Sequence, residues 1–175
     1  MKTIDLRAGR VVYQKERAHL SAARCLDYNP HREFEVVSGG EDGKIRIWDL
    51  RNMKGCLKLF SGSHSHWVVD AKFNPHQKEL LLSSGTDTLV NLWHIAQESS
   101  EATSTASKNE DVASNSQENV NNKDRIVQSY DVHEDSVYQC AWSNVDAWVF
   151  GSISYDGAIA VHSVPEQEKY SILLN

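Results

Sequence analysis

The sequence predicts an all-β protein, because one strand–turn–strand pattern occurs three times along the chain. In its first copy, residues 36–51, runs rich in Val and Ile flank Asp42 and Gly43, a tight-turn signal of β-hairpins. Gap-free copies lie at residues 81–93 and 149–162. A histidine precedes each copy: His19, His64 and His133. Repeats of about 40–45 residues with an early His and a closing Trp-Asp are typical of propeller blades.

The recurring polar residues of these units resemble those of the WD40 repeat family. They are His19, Ser38, Asp42 and Trp48 in the first unit, His64, Ser83, Asp87 and Trp93 in the second, and His133, Ser152 and Asp156 in the third. In that family the Asp holds the His, the His contacts the Ser, and the Ser contacts the indole N–H. The resemblance implies a structural tetrad in each blade, where an unpaired polar group would cost roughly 1–3 kcal/mol.

Two positions depart from this family pattern. His162 stands in the third unit where the closing Trp is expected. The Asp of the Trp-Asp pair, present as Asp49, is replaced by His94 in the second unit and Ser163 in the third. We expect the same fold in all three units despite these changes.

The predicted strands form a partial propeller of about three blades plus a remnant of a fourth. Residues 1–18 are predicted to be the remnant of a preceding blade, so we expect the chain to be the carboxy-terminal part of a longer propeller, or a truncated gene model or splice form of one. Residues 97–124, rich in Ser, Glu, Asn and Thr, are predicted to be a disordered acidic insertion. The predicted repeats are residues 19–63, 64–132 and 133–175, the last with a C-terminal strand at 169–174.

Catalysis and metal binding receive little support from the sequence. A catalytic centre occurs once, whereas the His, Ser and Asp occur in every repeat, so we predict a non-enzymatic protein. His64 and His66 lack the further ligands that a metal site needs, and we expect neither metal nor cofactor. The three cysteines are expected to be reduced thiols of a cytosolic protein: Cys25, Cys56 and Cys140. The net charge of −6 argues against a nucleic-acid surface.

The third unit resembles a narrower group, the carboxy-terminal half of the EARP-interacting protein family. The resemblance covers nearly the whole chain and rests on residues 65–68, 133–138, 142–143, 154–157, 164–165 and 169–174, together with the acidic insertion. It implies a scaffold that binds the endosome-associated recycling and Golgi-associated retrograde tethering complexes. It also implies a cytoplasmic protein associated with endosomes or the trans-Golgi network.

An alternative function is suggested by the Trp48–Asp49–Leu50–Arg51 ending of the first unit. This W-D-x-R box resembles that of the substrate receptors of cullin–RING ubiquitin ligases, in which the Arg contacts the ligase adaptor. In the WD40 family, residues just before the tetrad Asp project towards partners. The corresponding residues here are Glu41, Thr86 and Tyr155. Together with Arg51 they are the candidate partner-binding residues.

Overall fold

The computed structural model describes residues 2–96 and 123–174, which form four antiparallel sheets and one helix. A two-stranded sheet contains β1 (Lys2–Asp5) and β2 (Arg10–Gln14). The first blade contains β3 (Ala23–Tyr28), β4 (Glu35–Gly40), β5 (Ile45–Asp49) and β6 (Lys58–Phe60). The second blade contains β7 (Val68–Phe73), β8 (Leu80–Gly85), β9 (Val90–His94) and β10 (Arg125–Tyr130). The third blade contains β11 (Val137–Trp142), β12 (Val149–Ser154) and β13 (Ile159–Ser163).

The tight turn between the second and third strands of each blade requires a residue with positive φ. Gly43 (φ 67°) and Gly157 (φ 81°) meet this requirement without a Cβ. Thr88 takes the same position in the second blade at φ 69°, which is unfavourable for a β-branched residue. Its hydroxyl group donates a hydrogen bond of 3.4 Å to Asp131 Oδ1. The hairpin predicted from the sequence is therefore present in all three blades.

The blades pack face to face in chain order, with an apolar core at each junction. The first core lies between the first and second blades and includes Val37, Ile45, Ile47, Val68, Leu81 and Trp93. The second core lies between the second and third blades and includes Leu80, Leu82, Leu92, Val137, Cys140 and Phe150. Successive residues of β8 alternate between the two cores, and the whole strand is buried. Both faces of the second blade are thus covered.

The outer faces of the first and third blades are open in part. Leu26 and Tyr28 on β3 are exposed, as are Ile159 and Val161 on β13. Val11 and Val12 on β2 are exposed as well, whereas Val149 on β12 is half-buried.

The predicted strand at residues 169–174 is wrong. These residues belong to α1 (Glu166–Leu173), which follows Pro165. The segment begins with Glu-Gln-Glu-Lys, and these residues have high helix propensity. Contacts with the second blade then stabilise the helix, because Glu168 pairs with His94 and Arg125 and Ile172 packs against the second core. Within the described residues the third blade therefore has three strands, and β13 is its edge.

The predicted insertion at 97–124 lies almost wholly outside the described residues, which resume at Lys123. Asp124, its last residue, is described and makes specific contacts. Its Oδ1 accepts hydrogen bonds from Lys58 Nζ at 2.7 Å and from the Ala96 amide at 2.8 Å. The disorder prediction was therefore wrong for Asp124.

Candidate functional site

The structure brings His19, Ser38, Asp42 and Trp48 of the first blade into one hydrogen-bonded chain. His19 Nδ1 lies 2.9 Å from Asp42 Oδ1, and His19 Nε2 lies 2.8 Å from Ser38 Oγ. The Trp48 indole N–H donates to the same Ser38 Oγ at 2.8 Å. The carboxylate of Asp42 can only accept, so the proton lies on Nδ1 and Ser38 donates to Nε2. The hydrogen-bonded chain links β4, β5 and the turn between them to the loop before β3.

The second blade repeats this arrangement with nearly the same distances. His64 Nδ1 lies 3.0 Å from Asp87 Oδ1, and His64 Nε2 lies 2.8 Å from Ser83 Oγ. The Trp93 indole N–H donates to Ser83 Oγ at 3.0 Å. The polar chain therefore recurs at the interface of the first and second blades.

In the third blade a histidine takes the place of the tryptophan. His133 lies 3.2 Å from Asp156 Oδ2 and 2.8 Å from Ser152 Oγ. His162 Nε2 lies 3.2 Å from the same Ser152 Oγ. Burial, reinforced by the neighbouring His133, lowers the pKa of His162. A ring nitrogen thus occupies the place of the indole N–H.

The first blade adds a cation that the sequence pattern did not reveal. Arg46 Nη1 donates to Asp42 Oδ2 at 2.9 Å and lies 2.7 Å from His19 Nδ1. Burial lowers the pKa of His19, against the opposing effect of Asp42, and the charge of Arg46 adds to that lowering. His19 therefore favours its neutral form. Arg46 could have been suspected only from its place on the tetrad face of β5, opposite Ser38.

Burial limits what these side chains can do chemically. Ser38, Ser83 and Ser152 are buried, and each hydroxyl is held by two ring nitrogens. A serine nucleophile must reach a substrate with its Oγ. The arrangement favours cross-linking of strands over attack on a substrate.

Removal of one tetrad carboxylate should destabilise the chain. Asp42→Ala leaves His19 Nδ1 and Arg46 without their acceptor, which should cost about 1–3 kcal/mol. Thermal or urea unfolding measures this loss. Glu33→Ala, at an exposed loop carboxylate, is the control and should change stability by about 0.5 kcal/mol or less. Equal unfolding midpoints for the two variants would contradict a role of the Asp42 carboxylate in stabilising its blade.

Acid should weaken the same tetrad. Burial would raise the pKa of Asp42, but hydrogen bonds from His19, the Leu20 amide and Arg46 outweigh it and hold the pKa at about 2, below the ordinary 3.8. A folded-state pKa below the unfolded one gives stability that is present above about pH 4 and is lost as the pH falls towards about 2. The stability difference between the wild type and Asp42→Asn should therefore shrink across this window. A stability difference between the two proteins that does not change with pH would contradict this prediction.

The three predicted partner-binding residues of the turns occupy equivalent positions at one edge of the blades, here called the upper edge. Each donates its backbone N–H to the residue that leads into the first strand of its blade: Glu41 to Ala22 O at 2.9 Å, Thr86 to Trp67 O at 3.0 Å and Tyr155 to Ser136 O at 3.1 Å. Their side chains differ in availability. Glu41 pairs with Arg24, and Thr86 contacts His66, whereas Tyr155 is 71% exposed.

Arg51 does not join these residues. It follows the other end of β5, so it lies at the opposite, lower edge of the first blade. Its guanidinium group donates to Asp49 at 2.8 Å and lies over the Phe34 ring, 4.9 Å from the centroid. Hydrogen bonding by Arg51 lowers the pKa of Asp49. The W-D-x-R box is therefore engaged within its own blade.

Contacts between blades at the lower edge were missed by the sequence reasoning. His31 Nε2 lies 3.1 Å from Asn74 O, and His76 Nε2 lies 3.2 Å from Asn144 O. Both histidines follow an Asn-Pro pair, so a repeated Asn-Pro-His motif was the signal that could have identified them. Each motif reaches the corresponding turn of the next blade. These contacts fix the spacing of neighbouring blades.

Metal-binding and membrane-spanning features can be assessed for the described residues. No group of three or more His, Cys, Asp or Glu in residues 2–96 and 123–174 is arranged to hold a metal ion. Cys25, Cys56 and Cys140 are free thiols, and burial raises the pKa of Cys25 to about 12. Among the same residues no helix has the length and apolar character that crossing a membrane requires.

Comparison with known proteins decides the family. The sequence model of the EIPR1 β-propeller family matches residues 1–93, and that of the WD domain, G-beta repeat, matches residues 124–163. The chain belongs to the EIPR1 β-propeller family. It is thus a WD40-repeat chain, as the spacing of its histidines and tryptophans predicted.

Curated relatives of this EIPR1-family chain come from animals and plants. EARP and GARP complex-interacting protein 1 of Homo sapiens is 35% identical over 97% of this chain. EARP-interacting protein 1 of Caenorhabditis elegans is 34% identical over 97%, and WD repeat-containing protein DWA2 of Arabidopsis thaliana is 40% identical over 91%. The match covers 45%, 47% and 42% of these relatives, so the chain spans less than half of their length.

The names of these relatives bear on the two functions considered for the EIPR1-family chain. The human relative is named for an interaction with the EARP and GARP complex, and the relative from Caenorhabditis elegans for an interaction with EARP. The alternative, recruitment to a cullin–RING ligase through Arg51, receives no support from the comparisons.

Proposed function

We propose that this chain is a non-catalytic scaffold that binds tethering complexes in endosomal recycling and retrograde vesicle transport. The observation that carries the proposal is its 35% identity, over 97% of its length, to a protein named EARP and GARP complex-interacting protein 1. The buried, doubly hydrogen-bonded serines support a non-catalytic role. The proposed location is the cytoplasm, at endosomes or the trans-Golgi network.

The proposed division of labour places stability and binding on different residues. The tetrads hold the blades, because each links a blade's second and third strands to the loop before its first strand. Partners bind the upper edge of the blades. Of the three candidate residues there, Glu41, Thr86 and Tyr155, the last is the most exposed. Exposed aromatic residues are frequent anchors of protein interfaces.

Affinity purification tests this proposal directly. The chain, tagged at its amino terminus, is expressed in cells and recovered under mild conditions, and the co-purifying proteins are identified by mass spectrometry. Subunits of the recycling and retrograde tethering complexes should be enriched over a tag-only control. Enrichment of the ligase adaptor without tethering subunits, or of neither, would overturn the proposal.

A further inference from the structure

Two tyrosines form an exposed pair at the upper edge of the third blade. The rings of Tyr138 and Tyr155 lie 4.7 Å apart between centroids, and the side chains are 39% and 71% exposed. Tyr138 is the extra residue where the register of β11 shifts against β12, which is the geometry of a β-bulge. Bulges of this kind re-aim a side chain. Here the bulge places Tyr138 against the turn that carries Tyr155.

The same two positions hold a different pair in the first blade. The register of β3 shifts at Arg24, and Arg24 forms an ion pair with Glu41. The Arg24 guanidinium group also lies over the Trp67 ring, 4.8 Å from its centroid. The charges of this pair, and one face of the Trp67 ring of the second blade, are therefore satisfied within the chain. The tyrosine pair of the third blade has no such cation over it among the described residues.

The two segments that flank the tyrosine pair in sequence are acidic and contain no Lys or Arg. The loop at 131–136 contributes Asp131, Glu134 and Asp135, all exposed, and contains neither Lys nor Arg. None of these three carboxylates forms an ion pair with a described residue. The turn at 155–158 adds Asp156 and again no Lys or Arg. These two segments together carry four carboxylates and no Lys or Arg.

Hydrogen bonds hold this loop beside the tyrosine turn. The Glu134 amide donates to Asp156 Oδ2 at 3.0 Å, and Ser154 Oγ donates to Asp135 O at 2.9 Å. The Tyr155 amide donates to Ser136 O at 3.1 Å. The backbone that carries Glu134 and Asp135 is therefore fixed beside the turn that carries Tyr155. Pre-organisation reduces the entropy lost on binding.

We propose that this surface binds a Lys- or Arg-rich segment of a protein partner. A basic side chain placed over the Tyr138–Tyr155 pair makes a cation–π contact, while Glu134 and Asp135 neutralise the neighbouring charges of the segment. The occupant is protein, because nucleic acid and anionic lipid would meet like charges here. This inference rests on the proposed function, since it states the chemistry by which the chain engages a tethering-complex subunit.

A peptide-binding measurement tests the surface on the full chain. The chain is immobilised at low density, and a soluble peptide of Lys-Ser-Gly repeats is compared with a peptide of Glu-Ser-Gly repeats. Only the basic peptide should bind. Tyr155→Ala should weaken its binding by roughly three- to fivefold, the loss of one exposed cation–π contact, whereas Tyr155→Phe keeps the ring and most of the affinity.

Charge reversal supplies the matched control. Glu134→Lys changes a carboxylate beside the tyrosines, whereas Glu33→Lys makes the same change in an exposed loop at the lower edge. Glu134→Lys should weaken peptide binding at least about threefold more than Glu33→Lys, because repulsion between surface charges falls off within a Debye length. Equal effects of the two reversals, or binding of the acidic peptide instead, would overturn the inference.

Affinity purification with the same variants separates the two proposals. If tethering subunits co-purify with the wild type and are lost from Tyr155→Ala and Glu134→Lys, both proposals stand. If recovery is unchanged in these variants, the proposed function stands and the surface inference falls. If no subunit co-purifies but the basic peptide binds in a Tyr155-dependent manner, the surface stands and the tethering function falls.

Discussion

The 175-residue chain expressed alone should elute from a size-exclusion column as assemblies larger than its 19.7 kDa monomer. The reason lies in the two open faces of the blade stack. Ile159 and Val161 of β13 are exposed on the outer face of the third blade, and Leu26 and Tyr28 are exposed on that of the first. Terminal repeats of open arrays need polar caps to stay soluble. These faces are apolar, so we expect them to associate.

Matched substitutions locate the association. Val161→Lys places a charge on the open face of the third blade, where the valine is 73% exposed, and should increase the monomer fraction. Val145→Lys, at a 96% exposed valine of the β11–β12 loop, is the control and should leave the assemblies unchanged. Light scattering on the eluted peaks gives the masses. A monodisperse wild-type monomer with cooperative unfolding would contradict this prediction.

Truncation of a side chain in the second core should cause the largest loss of stability among the point variants considered. Leu82 is fully buried in the second core, so Leu82→Ala removes packing and leaves a cavity, at a cost of about 2–5 kcal/mol. That is a large fraction of the stability of an ordinary domain. Leu59→Ala makes the same change on β6 at a leucine that is 50% exposed, and should cost less than half as much. Comparable losses of unfolding free energy for the two variants, measured in urea, would contradict the buried position of Leu82 and the exposed position of Leu59.

The repeated units made most of this fold predictable from the sequence. Asp42-Gly43 and the alternation of Ile45 and Ile47 predicted the first hairpin, and the second and third hairpins followed from matching positions. The four predicted residues of each of the first two units, and the three of the third, also lie together, because their spacing is set by strand length and turn type. His162 could be placed from its position alone, since it occupies the site of the tryptophan.

The helix α1 could not be predicted from its strand-like apolar ending. Ile172, Leu173 and Leu174 are compatible with either structure, and a short apolar run does not distinguish them. The decision rests on distant residues, because Glu168 finds His94 and Arg125 on the second blade only if the segment is helical. The same limit applies to the tyrosine pair: contact between Tyr138 and Tyr155 depends on a bulge that no local motif announces.

Hydrogen exchange at several protein concentrations tests the central claim, that three blades stack in series with the second covered on both sides. Amides of β8 should exchange slowly at every concentration, because both faces of that strand are buried. Amides of β3 and β13 should exchange faster in dilute solution and gain protection as the concentration rises and the open faces associate. Exchange of β8 as fast as that of β13 in dilute solution would contradict the account.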